Sequence, residues 1–184
     1  MSDMSLYGHE QSKKIVRFLA ENPNEAQAFL DSTHQNTGAS MFLHNKKMVN
    51  YGDKTYIVGK EPSHITKESV PTEFEDKGSL SPHLSPMQFA HHFLRLKDHA
   101  TTKSGKVAKK ALIGSWIDTR SEKNTKKGVQ IDLSVGHKDR SVAEKKMINR
   151  NEDAIVDASK GFENIYNEEV RHKYTDKPRP PKVN

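Results

Sequence analysis

Apolar residues Ile15, Val16, Leu19 and Ala20 recur at three- and four-residue spacing, which lays one stripe along a helix from about 9 to 21. Asn22 then stands where an N-cap belongs. Pro23 suits the first helical turn, where its missing N–H costs nothing, and Glu25 takes the third position of a capping box. A second, short helix to about Asp31 is predicted, burying Ala26, Phe29 and Leu30.

Strand-like runs follow at 40–44, 47–50 and 55–58, separated by Asn45-Lys46 and by Tyr51-Gly52-Asp53, and these breaks read as hairpin turns. From Gly59 to Pro86 the prolines 62, 71, 82 and 86 and scattered charges predict a surface loop. Ser85 as N-cap and Pro86 at the first helical position open a helix that carries Phe89, Phe93 and Leu96 on one face and ends near His99.

The alternation is clearest further on. Leu112-Ile113-Gly114-Ser115-Trp116-Ile117-Asp118 reads as a strand, and in the next one Val129, Ile131, Leu133 and Val135 alternate with polar or small residues. One face of that strand is therefore buried and the other wet. Trp116 is expected in the core. Asp139 caps a helix from Arg140 to about Asn149 that turns Val142, Ala143 and Met147 inward, and Ala154-Ile155-Val156 returns as a strand. Beyond Ile165 the apolar signal fades into Lys177-Pro178-Arg179-Pro180-Pro181-Lys182, an extended basic stretch.

The pattern predicts an α+β fold: a small antiparallel sheet packed against helices, with a helical N-terminal arm (1–35), a core domain (36–166) containing a Pro-rich loop at 59–86, and a disordered basic tail (167–184). Residue usage is 33% hydrophobic and 29% charged over 184 residues, which leaves room for a modest core and not for a continuous one. The absence of cysteine excludes a disulfide framework and thiolate chemistry. The opening residues lack a charged segment followed by an apolar one, and no apolar run approaches 18 residues. No membrane association is expected, and the location expected is the host cytoplasm or the interior of a particle.

Charge changes the picture more. Residues 101–150 hold 13 Lys and Arg against 5 Asp and Glu, so this stretch carries +8 of the overall +6 and the remainder sums to −2. Lys103, Lys106, Lys109, Lys110, Lys123, Lys126 and Lys127 flank the Trp116 strand on both sides, and clustered positive charge attracts phosphate polyanions through counterion release. These lysines are the candidate nucleic-acid contacts. With Trp116 the only aromatic between them, the pattern favours backbone contact over base reading.

Other chemistry finds little support. His91, His92 and His99 share a helix, but Arg95 occupies the position four after His91, where a second metal ligand would stand. Asp118, Asp132 and Asp157 punctuate the strands without the lysine a metal nuclease would place near the second acid. No G-x-S-x-G, P-loop or G-x-G-x-x-G is present, and no metal or cofactor is expected.

The strand Gly114-Ser115-Trp116-Ile117-Asp118, the run Val129-Gln130-Ile131-Asp132-Leu133-Ser134, Asp139-Arg140 with Ala143, and Asn151 with Ala154-Ile155-Val156-Asp157 together resemble a phage- or prophage-encoded domain of unassigned function. Members of that family occur alone or fused to head-associated or mobile-element polypeptides. Thr37-Gly38-Ala39-Ser40-Met41-Phe42 is similar to the strand that opens the same domain, and the resemblance spans roughly 36–166. It implies a virion-associated accessory protein that binds protein partners and, through the basic patch, DNA or RNA. It carries no catalytic residue. The alternatives are a small toxin-type enzyme acting on nucleotides or nucleic acid, and an inhibitor of a host defence protein.

Overall fold

The computed structural model describes residues 7–60, 83–117, 129–150, 152 and 154–167. The basic tail, most of the Pro-rich loop, Asp118 and Lys123, Lys126 and Lys127 lie outside the described residues.

The first apolar stripe forms α1 (His9–Glu21), burying Ile15 and Phe18. The second helix, α2 (Pro23–Asn36), runs five residues beyond the expected end and stops where Thr37 turns left-handed at φ 60°. Asn22 does not cap it. The Asn22 side chain instead donates through Nδ2 to the Phe18 carbonyl at 2.8 Å, closing α1 rather than opening α2. An orphan carbonyl at the end of one helix has won over the orphan N–H groups of the next.

Strand β1 (Gly38–Phe42) follows, and β2 is Tyr56–Lys60. They do not pair with each other, and of the two expected hairpins only the first forms, in reduced form. The chain folds back on β1 only through a bridge between Met41 and Met48, backed by Phe42 N–H to Lys47 O (2.9 Å) and Val49 N–H to Ser40 O (2.8 Å). It then crosses to β2, which lies three places away in the sheet. Helix α3 (Pro86–His99) opens at the expected Ser85 N-cap, and Gln88 completes a capping box there: the Ser85 hydroxyl accepts from the Gln88 N–H at 3.2 Å, and the Gln88 side chain accepts from the Ser85 N–H at 2.8 Å. Strands β3 (Ala111–Ile117) and β4 (Val129–His137) come next, then α4 (Arg140–Arg150), β5 (Ala154–Asp157) and β6 (Glu163–Tyr166). The Asp139 carboxylate accepts from the Ser141 and Val142 N–H groups and starts α4 as expected, although Val142 faces outward.

The strands join in one antiparallel sheet in the order β1-β3-β4-β2-β5-β6. The fold is α+β. Register sorts the two faces, since Met41 pairs with Ile113 and Ile113 with Leu133, while Val58 pairs with Val135 and with Ile155. All four helices cover this one face. α1, α2 and α3 bury it with Phe18, Phe29, Phe89 and Phe93, whose rings stack as Phe29 on Phe89 at 4.6 Å and Phe18 on Phe93 at 4.8 Å, and α4 adds Ala143 and Met147 over Val58 and Ile155. The first two helices thus share a core with the sheet. The opposite face presents Ser40, Gly114, Trp116, Gln130, Asp132 and Ser134. Trp116 is therefore not a core residue: its register puts it on the face without helices, where it is half-buried.

One side-chain contact ties the segment leading into α3 to α2 through a titratable group. The His34 Nε2 accepts a hydrogen bond from the Leu84 N–H at 3.0 Å, and since a backbone N–H can only donate, that nitrogen carries no proton. His83 stacks on the same ring at 5.0 Å. Desolvation, and then the nearby His83, lowers the His34 pKa, and desolvation together with Lys110, Arg150 and Lys146 lowers that of His137. The unfolded chain then binds more protons than the folded one between these lowered values and the ordinary histidine pKa of about 6.5. Stability from these groups is complete above that value and is lost as the pH falls through the window. The melting temperature is expected to drop between pH 7.5 and 5.5, and less steeply in His34→Gln, whose amide oxygen keeps the acceptor without titrating. Equal slopes in the two proteins would show that His34 does not contribute.

Candidate nucleic-acid interface

The end of the sheet where β1 leaves and β4 finishes carries a cleft of about 640 Å³. Phe42, Met48 and Gly136 line it together with Lys47, Lys109, Lys110, Lys138, His44 and Asp53. The apolar part exists because Gly136 has no side chain: a Cβ there would meet Thr55 Cγ2 at 3.2 Å, Leu112 Cδ1 at 3.5 Å and Phe42 Cε1 at 3.8 Å. Phe42 is half-buried against Val49, Ile57 and Leu112, with the His44 ring edge-on at 5.7 Å.

Backbone bonding fixes where the lysines stand. The turn before β3 is held by Ala108 N–H to Ala100 O, Ala111 N–H to Ala108 O and Gly136 N–H to Lys110 O, each within 3.0 Å, so Lys109 and Lys110 are placed beside the end of β4. Asn45 sets Lys47 by accepting from its N–H at 3.0 Å, in an Asx turn. Lys138 follows β4 directly and its ammonium donates to the Thr55 hydroxyl at 3.2 Å. Among the described residues none of the four lysines forms an ion pair. Asp53 is the one carboxylate in the lining, and its Oδ2 is already engaged by the Asn50 N–H at 2.8 Å. Four ammonium groups against one carboxylate leave the cleft at a net +3.

Of the seven lysines singled out in the sequence, Lys109 and Lys110 line this cleft. Lys103 and Lys106 sit exposed on the neighbouring 101–107 turn, outside the lining, and Lys123, Lys126 and Lys127 lie outside the described residues. Lys47 and Lys138 were missed. Lys47 stands far from the charge cluster in sequence and Lys138 lies in the same basic stretch but beyond Lys127, and only the pairing of β1 with β3 and of β3 with β4 brings their strand ends together. The signal available was Lys138 directly after the alternating strand and Lys47 after the turn that follows β1.

The strand carboxylates do not converge. Asp157 is buried on the helix-covered side, where its Oδ1 accepts from the Ser159 N–H (3.0 Å) and hydroxyl (2.6 Å), whereas Asp132 lies on the opposite face. Asp132 has a structural partner instead. It pairs with Gly114, where a Cβ would collide with its carboxylate, and it accepts from the Ser134 hydroxyl at 2.8 Å. The Gly-x-Trp and Asp-x-Ser motifs are thus two halves of one interlock across β3 and β4. Desolvation among the strands raises the Asp132 pKa against the opposing hydrogen bond from Ser134.

A second groove, between α1 and α3, is lined by Gln11, Lys14, His91, Leu94, Arg95, Asp98 and His99. It brings His91 and His99 to one surface with Arg95 between them, and the His91 ring rests on Tyr7 at 4.7 Å. Among the described residues no three His, Asp or Glu side chains are grouped to hold a metal ion, and no helix is long and apolar enough to cross a membrane.

No protein-family model, curated protein or solved structure matches this chain. The cleft, its charge and the sequence motifs are what a functional reading rests on.

Proposed function

We propose that this protein is a binding protein whose cationic cleft takes the phosphate backbone of a nucleic acid, acting as an accessory component in a phage or prophage setting. The observation that carries the binding role is the convergence of Lys47, Lys109, Lys110 and Lys138, from three separate chain segments, around an apolar-sided cleft without ion-pair partners among the described residues. Lysine charges left uncompensated at one place repel each other, and a polyanion relieves that repulsion while releasing its own counterions. The phage setting rests on the motifs at 112–118, 129–134 and 154–157.

Salt is the direct test. Binding of a fluorescent oligonucleotide is expected to weaken linearly on a log–log plot against salt, with a slope of about −0.7 per phosphate on single strands and about −0.9 on duplex, and so near −3 to −4 for four lysines. Sequence preference is expected to be slight, because phosphate contacts carry no base information. A protein that binds neither DNA nor RNA at 20 mM salt would end this reading and turn the cleft toward a small anion or an acidic protein surface.

A further inference from the structure

The turn that closes one side of the cleft carries Asn50 and Asp53 in the lining and Tyr51 between them. Tyr51 is 77% exposed, the most open large hydrophobic side chain among the described residues. It is also held in place. Gly52 N–H donates to Ala158 O at 3.0 Å, tying the turn to the 158–162 segment, and the edge of the Tyr51 ring lies over Gly161, where a Cβ would sit 3.0 Å from Tyr51 Cε2. The next residue, Phe162, is 39% exposed and adopts φ 60°, a left-handed conformation that a bulky residue rarely takes. Two exposed aromatic side chains thus stand on adjoining turns, the Tyr51 turn reaching the lysine-lined cleft through Asn50 and Asp53, and Phe162 holds a strained backbone position of the kind that gathers at binding sites.

We propose that these rings extend the cleft into a track for single-stranded nucleic acid, with the backbone on the lysines and unpaired bases stacked on Tyr51 and Phe162. The proposal rests on the nucleic-acid reading of the cleft and adds the strandedness of the ligand. A lysine cluster alone takes single and double strands alike, but an aromatic ring offers its face only to a base whose own face is free.

The experiment measures fluorescence anisotropy of a labelled twelve-residue oligothymidylate and of a twelve-base-pair duplex at several salt concentrations, with wild type, Tyr51→Ala and Tyr51→Phe. Wild type is expected to prefer the single strand at least tenfold. Tyr51→Ala is expected to lose about 5- to 150-fold on the single strand, the range for one stacked base, with the salt slope unchanged, and Tyr51→Phe to retain most of the affinity. The side chain is exposed, so both variants are expected to melt with wild type. Equal binding of the two ligands by wild type, with Tyr51→Ala unchanged, would overturn the single-strand track and leave the phosphate-binding cleft standing. Loss of all binding in wild type would overturn both.

Discussion

Phe89→Ala is expected to destabilise the protein by about 3–5 kcal/mol, the usual cost of emptying a buried phenylalanine site. Phe89 has no exposed surface and its ring meets Phe29 at 4.6 Å, Phe93 at 5.9 Å and Phe18 at 6.1 Å, so truncation removes a contact from each of α1, α2 and α3 at once. For a chain of this size the melting temperature is expected to fall by roughly 6–20 °C. Chemical denaturation of the variant beside Phe162→Ala, whose side chain is partly exposed, measures the difference. A loss below about 1 kcal/mol would mean that the N-terminal helices do not share the core of the sheet.

Replacing Lys109, Lys110 and Lys138 with Gln is expected to weaken oligonucleotide binding on the order of a thousandfold at 50 mM salt. The magnitude follows from the salt law, in which each phosphate neutralised by a lysine contributes roughly tenfold at that concentration. The slope is expected to flatten by about two to three units. Folding is expected to survive, because Lys109, Lys110 and Lys138 are exposed. The matching control, Lys103→Gln with Lys106→Gln, alters lysines of the same charge cluster that lie outside the cleft. A control as damaging as the triple variant would place the binding surface on the 101–107 turn instead.

The elements were largely legible because their signals are local. An N-cap at Ser85, an alternating run at 129–135 and an Asp139 cap each act within a few neighbouring residues, and each formed as the sequence indicated. The order of the strands was not legible. Between Phe42 and Tyr56 the apolar pattern fits hairpins, yet only Met48 pairs back, and β1 and β2 end up separated by two strands, β3 and β4, that follow both of them in sequence. β6 escaped notice because its four residues hold two exposed polar positions and no clean alternation. Trp116 was misplaced for a related reason. Its alternation with Ser115 and Ile117 says that it faces away from them, but which face the helices cover is decided by where Ile113 and Leu133 meet Phe89 and Phe93.

The same division explains the cleft. Lysine density between 101 and 127 was visible, and it pointed to two lining residues of four. Lys47 and Lys138 join them only through long-range pairing, and Tyr51 and Phe162 come from turns outside the 101–127 lysine run.

The central claim is that this cleft, and not another basic surface, receives the nucleic acid. A titration of ¹⁵N-labelled protein with the twelve-residue oligothymidylate, followed amide by amide, tests it most directly. The expected result is that Lys47, Tyr51, Lys109, Lys110, Gly136 and Lys138 shift together and saturate at one concentration, with the α1–α3 groove unmoved. Shifts confined to Lys14, Arg95 and their neighbours in that groove, or no shifts at all, would contradict it.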